Sequence, residues 1–229
     1  PISPSVTQGV TAVEYVEAEP ATLLFSNAQV DTIEDGQQLI ELVLTVSGIA
    51  DGAREQLWVG SDFIVLDGST PSGTVAGQSY TVEEHDGTAI VTLSNLAGWN
   101  EGEIIHALGY KNTSSAPTET DRTVSIVSLT DSGGIEDGGE NFQIFNPKVT
   151  TTVSVVNVNA APVLTLNGGS GVTYTEPVTG SPSVPIFLFR ATQNDPATGI
   201  VVDTVETNQI VTVLTVDISN TALGDRLII

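Results

Sequence analysis

Apolar and polar residues alternate along much of this chain with a period of two. Leu42, Leu44 and Val46 alternate with Val43, Thr45 and Ser47, and Ile90, Thr92 and Ser94 alternate with Ala89, Val91 and Leu93. Successive side chains of a strand point to opposite faces, so each run predicts a strand with one face buried. Val124, Ile126 and Val127, then Val153, Val155 and Val156, predict further strands. The apolar segments are short, β-branched, rich in Thr and separated by Gly, Pro, Asn and Asp clusters, the pattern of an all-β sandwich. One stretch departs from it, Trp99-Asn-Glu-Gly-Glu-Ile-Ile-His-Ala-Leu-Gly109. Asn100 as N-cap, Glu103 closing a capping box, Ile104, Ile105 and Leu108 on one face, and Gly109 at C′ predict a two-turn crossover helix.

A repeat organises the chain. VDTIE at 30–34 returns as VDTVE at 202–206. Each copy follows an aromatic-x-Glu, at Tyr15 and Tyr174, and precedes a β-branched run, QQLIELVLTVS or NQIVTVLTVDIS. AREQLWV and LGDRLII then end the two series alike, and matching features in one order mark an internal repeat. The stretch VNVNAAPVLTLNG at 156–168 reads as the joint, because Pro162 fixes its own φ and disfavours helix at Ala161. Residues 1–160 are therefore expected to form one complete β-sandwich module. Residues 161–229 are expected to form the first part of a second, incomplete one, whose missing strands come from elsewhere in a parent polypeptide.

Charge narrows the functions. Six basic residues face 28 acidic ones, a formal net charge of −22. Nucleic-acid and anionic-lipid partners need Lys and Arg in number and are excluded on that ground. Bound cations or a positively charged partner would relieve the self-repulsion. Cysteine is absent, so disulfides and thiolate metal sites are excluded. No run approaches the roughly 18 apolar residues of a membrane span. The chain opens Pro-Ile-Ser-Pro, without a secretory leader, and reads as a piece of something longer.

Oxygen ligands are the chemistry the residues offer. The densest supply is Asp131, Glu136, Asp137, Glu140 and Asn141, interleaved with glycines that let backbone fold around an ion. Calcium takes six to eight such oxygens, although the EF-hand spacing is absent. The same stretch also reads as an acidic hairpin loop. Glu84, His85 and Asp86 are too close in sequence to converge on zinc. His106 falls in the crossover helix. Trp58 and Trp99 suit a core better than a sugar platform. Asn112-Thr113-Ser114 matches a glycosylation sequon, and Lys111 and Lys148 raise an intramolecular isopeptide bond without an evident partner. No nucleophile elbow, P-loop or dinucleotide fingerprint appears, so no enzymatic activity is expected.

The stretches ALGYKNTSSAPTETDRTVSIVSLTDSGG (107–134) and TTVSVVNVNAAPVLTL (151–166), with the Tyr-x-Glu openings, resemble cadherin-like tandem repeats of giant bacterial RTX-type surface adhesins. The resemblance implies an all-β, Ig/cadherin-like sandwich in an extracellular, calcium-stiffened stalk on the bacterial surface. Its partners would be neighbouring modules of the same polypeptide and an inserted ligand-binding domain used in adhesion and biofilm formation. It further implies Ca2+ ligands at the joint, from Glu17, Asn157, Asn159 and Asp203, with Glu206 beside Asp203. Asp31, Glu34 and Asp35 would be the matching upper end of the first module. Ala160 departs from the family pattern, which usually has Asp there, and so removes one carboxylate from the joint. The alternatives are a calcium-dependent carbohydrate- or protein-binding module and an accessory domain of a secreted hydrolase.

Overall fold

In a computed structural model the chain divides into two compact units, Pro1–Val158 and Asn159–Ile229. The structure describes residues 3–31, 36–96, 99, 102–135 and 140–158, and the strand backbones at 163–166 and 200–203.

In chain order the strands are β1 (Ser5–Thr7), β2 (Ala12–Val16), β3 (Thr22–Leu23), β4 (Gln29–Asp31) and β5 (Leu39–Ser47). Then come β6 (Glu55–Val59), β7 (Asp62–Val65), β8 (Ser72–Val75), β9 (Gln78–His85) and β10 (Thr88–Ser94). After the helix α1 (Glu103–His106) follow β11 (Leu108–Asn112), β12 (Arg122–Asp131) and β13 (Phe142–Val156). The second unit shows β14 (Val163–Leu166) and β15 (Ile200–Asp203).

The first unit is an all-β sandwich. One sheet has the order β2-β13-β12-β5-β10-β9-β8, and the other has β3-β11-β6-β7. The β2–β13 pair is parallel, so the last strand of the unit runs beside an early one in the same direction. The period-two reading is met: Leu42, Leu44, Val46, Ala89, Val91 and Leu93 are fully buried, facing Leu57, Val59, Ile64 and Leu108 in one core. A register shift between Ile126 and Ser128 breaks strict alternation in β12, a bulge that lets Ile126 and Leu129 both reach that core. At the β9–β10 hairpin, Asp86 and Gly87 take φ of 50° and 73°, the two-residue turn that matches strand twist.

The helix differs from expectation. It has one turn, its N-cap is Gly102, and no side chain caps it. Ile104 and Ile105 are buried as expected, but Leu108 and Gly109 leave the helix to join β11, where Leu108 pairs Val59 and Gly109 pairs Trp58. Gly109 serves close approach: an added Cβ would stand 3.2 Å from the Thr22 carbonyl and 3.3 Å from the Ala21 Cβ. Sheet pairing outweighs the local C-cap signal. Asn100 lies outside the described residues.

The repeated pentapeptide opens in the same structural role twice. Asp31 closes β4 opposite Ser5 of β1, and Asp203 closes β15 opposite Val163 of β14, both antiparallel.

Candidate functional site at the lower end of the first unit

The end of the sandwich where β2 and β13 stop and β12 starts is organised by a buried ionic network. Glu55 and Arg122 are fully buried, unusual for residues that ordinarily stay solvated. Arg122 donates to both carboxylate oxygens of Glu55, from Nε at 3.0 Å and Nη2 at 2.9 Å. Nη2 also reaches Asp51 at 3.1 Å, and Nη1 donates to the Thr118 carbonyl at 3.0 Å and to the Thr120 carbonyl and hydroxyl. The Tyr110 hydroxyl donates to Glu55 at 2.8 Å, and the backbone N–H groups of Ala50 and Asp51 complete that carboxylate's shell. A buried charge pair is tolerable only with its remaining hydrogen-bonding capacity satisfied in this way.

Electrostatics follow from that geometry. Burial by itself would raise the Asp51 carboxyl, but hydrogen bonds from the Thr118 hydroxyl and N–H and the Asn112 amide, with the Arg122 charge, hold it below its usual range. Burial and then the Glu55 charge push the Tyr110 phenol far up. Burial opposes the Arg122 charge, yet the bonds and charges of its partners raise it further.

The network hands its order to the surface. Asp51 receives the Thr118 N–H at 2.9 Å and hydroxyl at 2.7 Å, while Arg122 holds Thr118 and Thr120 by their oxygens. Glu119, between those threonines, accepts the Asn157 N–H at 3.1 Å. From the other side, Tyr15 stacks edge-on with Tyr110, and its hydroxyl donates to the Asn112 carbonyl at 2.6 Å. That anchors β2, and Glu17 just beyond it accepts the Val158 N–H at 3.0 Å. Two successive N–H groups leaving β13 are thus each held by a carboxylate from a different element. The Asn157 Oδ1 atom is buried there without a hydrogen-bond partner among the described residues. Each glutamate spends one oxygen on backbone and has no cationic partner among the described residues. The negative charge also reaches Tyr15, whose phenol is raised by burial and then by Glu17 and Glu19.

The expected site residues divide accordingly. Asn157 meets Glu119, which the sequence reading missed, and Glu17 meets the next residue, Val158. Asn159, Glu206, Glu34, Asp35, Glu136 and Asp137 lie outside the described residues, and only the strand backbone of Asp203 is described. Asp131 is fully buried at the end of β12, where Oδ1 accepts the Gly133 N–H at 2.8 Å, so it holds the hairpin in shape. Glu140 accepts the Ser3 hydroxyl at 3.0 Å. Asp31 lines a cleft with Ser5, Thr7 and His106. Among the described residues, no group of three or more His, Asp or Glu side chains converges as a metal site would require.

Other candidates find structural roles. Asn112 is 1% exposed and donates to Asp51 at 2.6 Å, so the folded sequon is closed to modification. Lys148 is exposed and Lys111 lies over the outer face of Trp58 at 5.6 Å, neither placed for a buried isopeptide bond. Trp58 is not a core residue: it sits on the outside of its sheet against Phe63, its ring covered by that lysine. His106 stands on the exposed side of α1, with Nε2 at 2.5 Å from the Ala28 carbonyl.

No protein-family model and no curated protein sequence matches the chain. No helix among the described residues is long and apolar enough to cross a membrane.

Proposed function

We propose that this chain is a stalk segment of a bacterial surface adhesin, with β-sandwich modules in series, stiffened by calcium and holding a ligand-binding domain away from the cell. The observation that carries the reading is the set of oxygens at the lower end of the first unit. Glu17 and Glu119 each offer an oxygen unused by backbone, and Asn157 offers a buried amide oxygen without a donor. This is a hard-oxygen set of the kind calcium selects. It sits where the chain leaves the first sandwich, the place where a bound ion would restrain the linker. Calcium there would neutralise the negative charge that Glu17 and Glu119 bring to the two flanks of the exiting strand. Water and further oxygens would complete its six to eight ligands. The family resemblance, the acidic balance of −22 and the repeat agree with this reading.

The test is thermal melting of the 229-residue chain with calcium and with EDTA, together with calorimetric titration of CaCl2 into the wild type and a Glu119→Gln variant. An ion bound only by the folded state stabilises by roughly 3 kcal/mol at a hundredfold excess over Kd. The expected result is a raised melting temperature with calcium and weaker binding in the variant. Melting unchanged by EDTA, or equal binding in both proteins, would remove the basis for the calcium reading.

A further inference from the structure

We propose that the Asp51–Arg122 pair, a part-exposed carboxylate on a buried guanidinium, is a positioning device for Glu119, setting calcium affinity at the lower end through the order of one loop; the affinity part rests on the calcium reading above. The loop from Thr113 to Asp121 contains no helix or strand, and the local bond across Glu119 is a tight turn, from the Thr120 N–H to the Thr118 carbonyl at 2.9 Å. Side chains then fix the neighbours of Glu119. Thr118 is held through its N–H, hydroxyl and carbonyl, the first two by Asp51 and the third by Arg122. Thr120 is held by Arg122 through its carbonyl and hydroxyl. Pinning both flanking residues leaves Glu119 little freedom, and its carboxylate meets the Asn157 N–H. Asp51 and Arg122 touch neither Asn157 nor Glu17 in any of these bonds, so they act through the loop. Outer partners that orient a metal ligand commonly matter tenfold or more in affinity.

The experiment uses the full chain carrying Thr118→Val with Thr120→Val, which removes both hydroxyls and keeps side-chain shape. Thr118→Ser with Thr120→Ser restores them. Thr151→Val is the control, because the Thr151 hydroxyl bonds the Val10 and Leu24 carbonyls, each 2.8 Å, away from Glu119. Two readouts are taken: amide hydrogen exchange at Asn157 in chelator, and the calcium Kd by calorimetry. In the valine pair, Asn157 exchanges about tenfold faster, the equivalent of one ordinary hydrogen bond, and Kd rises by about tenfold. The serine pair behaves as wild type. Thr151→Val loses thermal stability without either change. Wild-type exchange at Asn157 in the valine pair, or faster exchange with unaltered Kd, overturns the positioning. A wild type that binds no calcium overturns the calcium reading and the affinity claim with it, while exchange still decides whether the pair orders Glu119.

Discussion

Arg122 and Glu55, 67 residues apart, meet through two parallel N–H···O bonds in a place where neither side chain touches water. The fork geometry of a guanidinium fits a carboxylate in this bidentate way, and lysine would not reproduce it. Every N–H of the guanidinium has an acceptor: Glu55 takes two, Asp51 one, and the Thr118 and Thr120 oxygens the rest. The pair therefore joins β6, β12 and the loop that carries Glu119 into one unit at the end of the sandwich.

Removing either partner strands a buried charge, which costs roughly 3–5 kcal/mol. Glu55→Gln and Arg122→Met are each expected to lose that much, and the double variant less than their sum, because the two share one interaction. Urea unfolding followed by tryptophan fluorescence reads this cleanly, since both tryptophans, Trp58 and Trp99, belong to the first unit. Additive losses would mean the two residues do not form one energetic unit.

Asp51 makes the same network sensitive to acid. Its folded pKa is held down, so its contribution is present above the unfolded pKa of about 3.9 and lost as pH falls through the lower folded value. The stability gap between wild type and Asp51→Asn should be level from neutral pH to about pH 5 and close below about pH 4. Urea midpoints for both proteins across that range test it, and a gap that stays constant to the lowest pH contradicts the assignment.

The strand pattern was legible because burial in a two-layer sandwich writes itself into neighbouring residues. Leu42, Leu44 and Val46 are adjacent in sequence and share one environment. Glu119 and Arg122 were not legible for the converse reason. Glu119 meets Asn157 across 38 residues and Arg122 meets Glu55 across 67, so no local spacing records either contact. The available signal was faint: Arg122, one of six basic residues in the chain, opens a β-branched strand where an apolar residue would be ordinary. The helix was overextended because Gly109 carries the same local signature as a C-cap and as a glycine in a crowded strand. Only the ladder with Trp58 distinguishes them.

Tyr110 and Tyr15 predict the alkaline limit. Both phenols are raised, Tyr110 by burial and the Glu55 charge and Tyr15 by burial and the charges of Glu17 and Glu19. A raised folded pKa contributes stability that is complete below the unfolded value of about 10 and declines as pH rises beyond it. In a spectrophotometric titration these two of the four tyrosines should ionise only as the first unit unfolds, together with the tryptophan signal. Ionisation of all four tyrosines before any fluorescence change would show that the two phenols are not held as described.

Gly48 links the core to the loop by close approach. It follows β5 with φ of +83°, and a Cβ there would stand 2.5 Å from the Asp121 carbonyl oxygen. Gly77 has nearly the same backbone, φ of +82°, but nothing lies within 4 Å of the added carbon. The pair separates two costs that usually arrive together. Gly77→Ala should lose only the left-handed strain, about 1–2 kcal/mol. Gly48→Ala adds a contact that no rotamer relieves, because the opposing atom is backbone, and the total should exceed about 3 kcal/mol. Relief requires Asp121 to move, and Asp121 is the last residue of the Glu119 loop, next to Arg122. Gly48→Ala should therefore also speed exchange at the Asn157 amide, whereas Gly77→Ala should leave that amide alone. Fluorescence-detected urea unfolding and amide exchange on both variants measure the two effects separately. Equal losses in the two proteins, with Asn157 unaffected in each, would show that the strand end can shift without disturbing the loop.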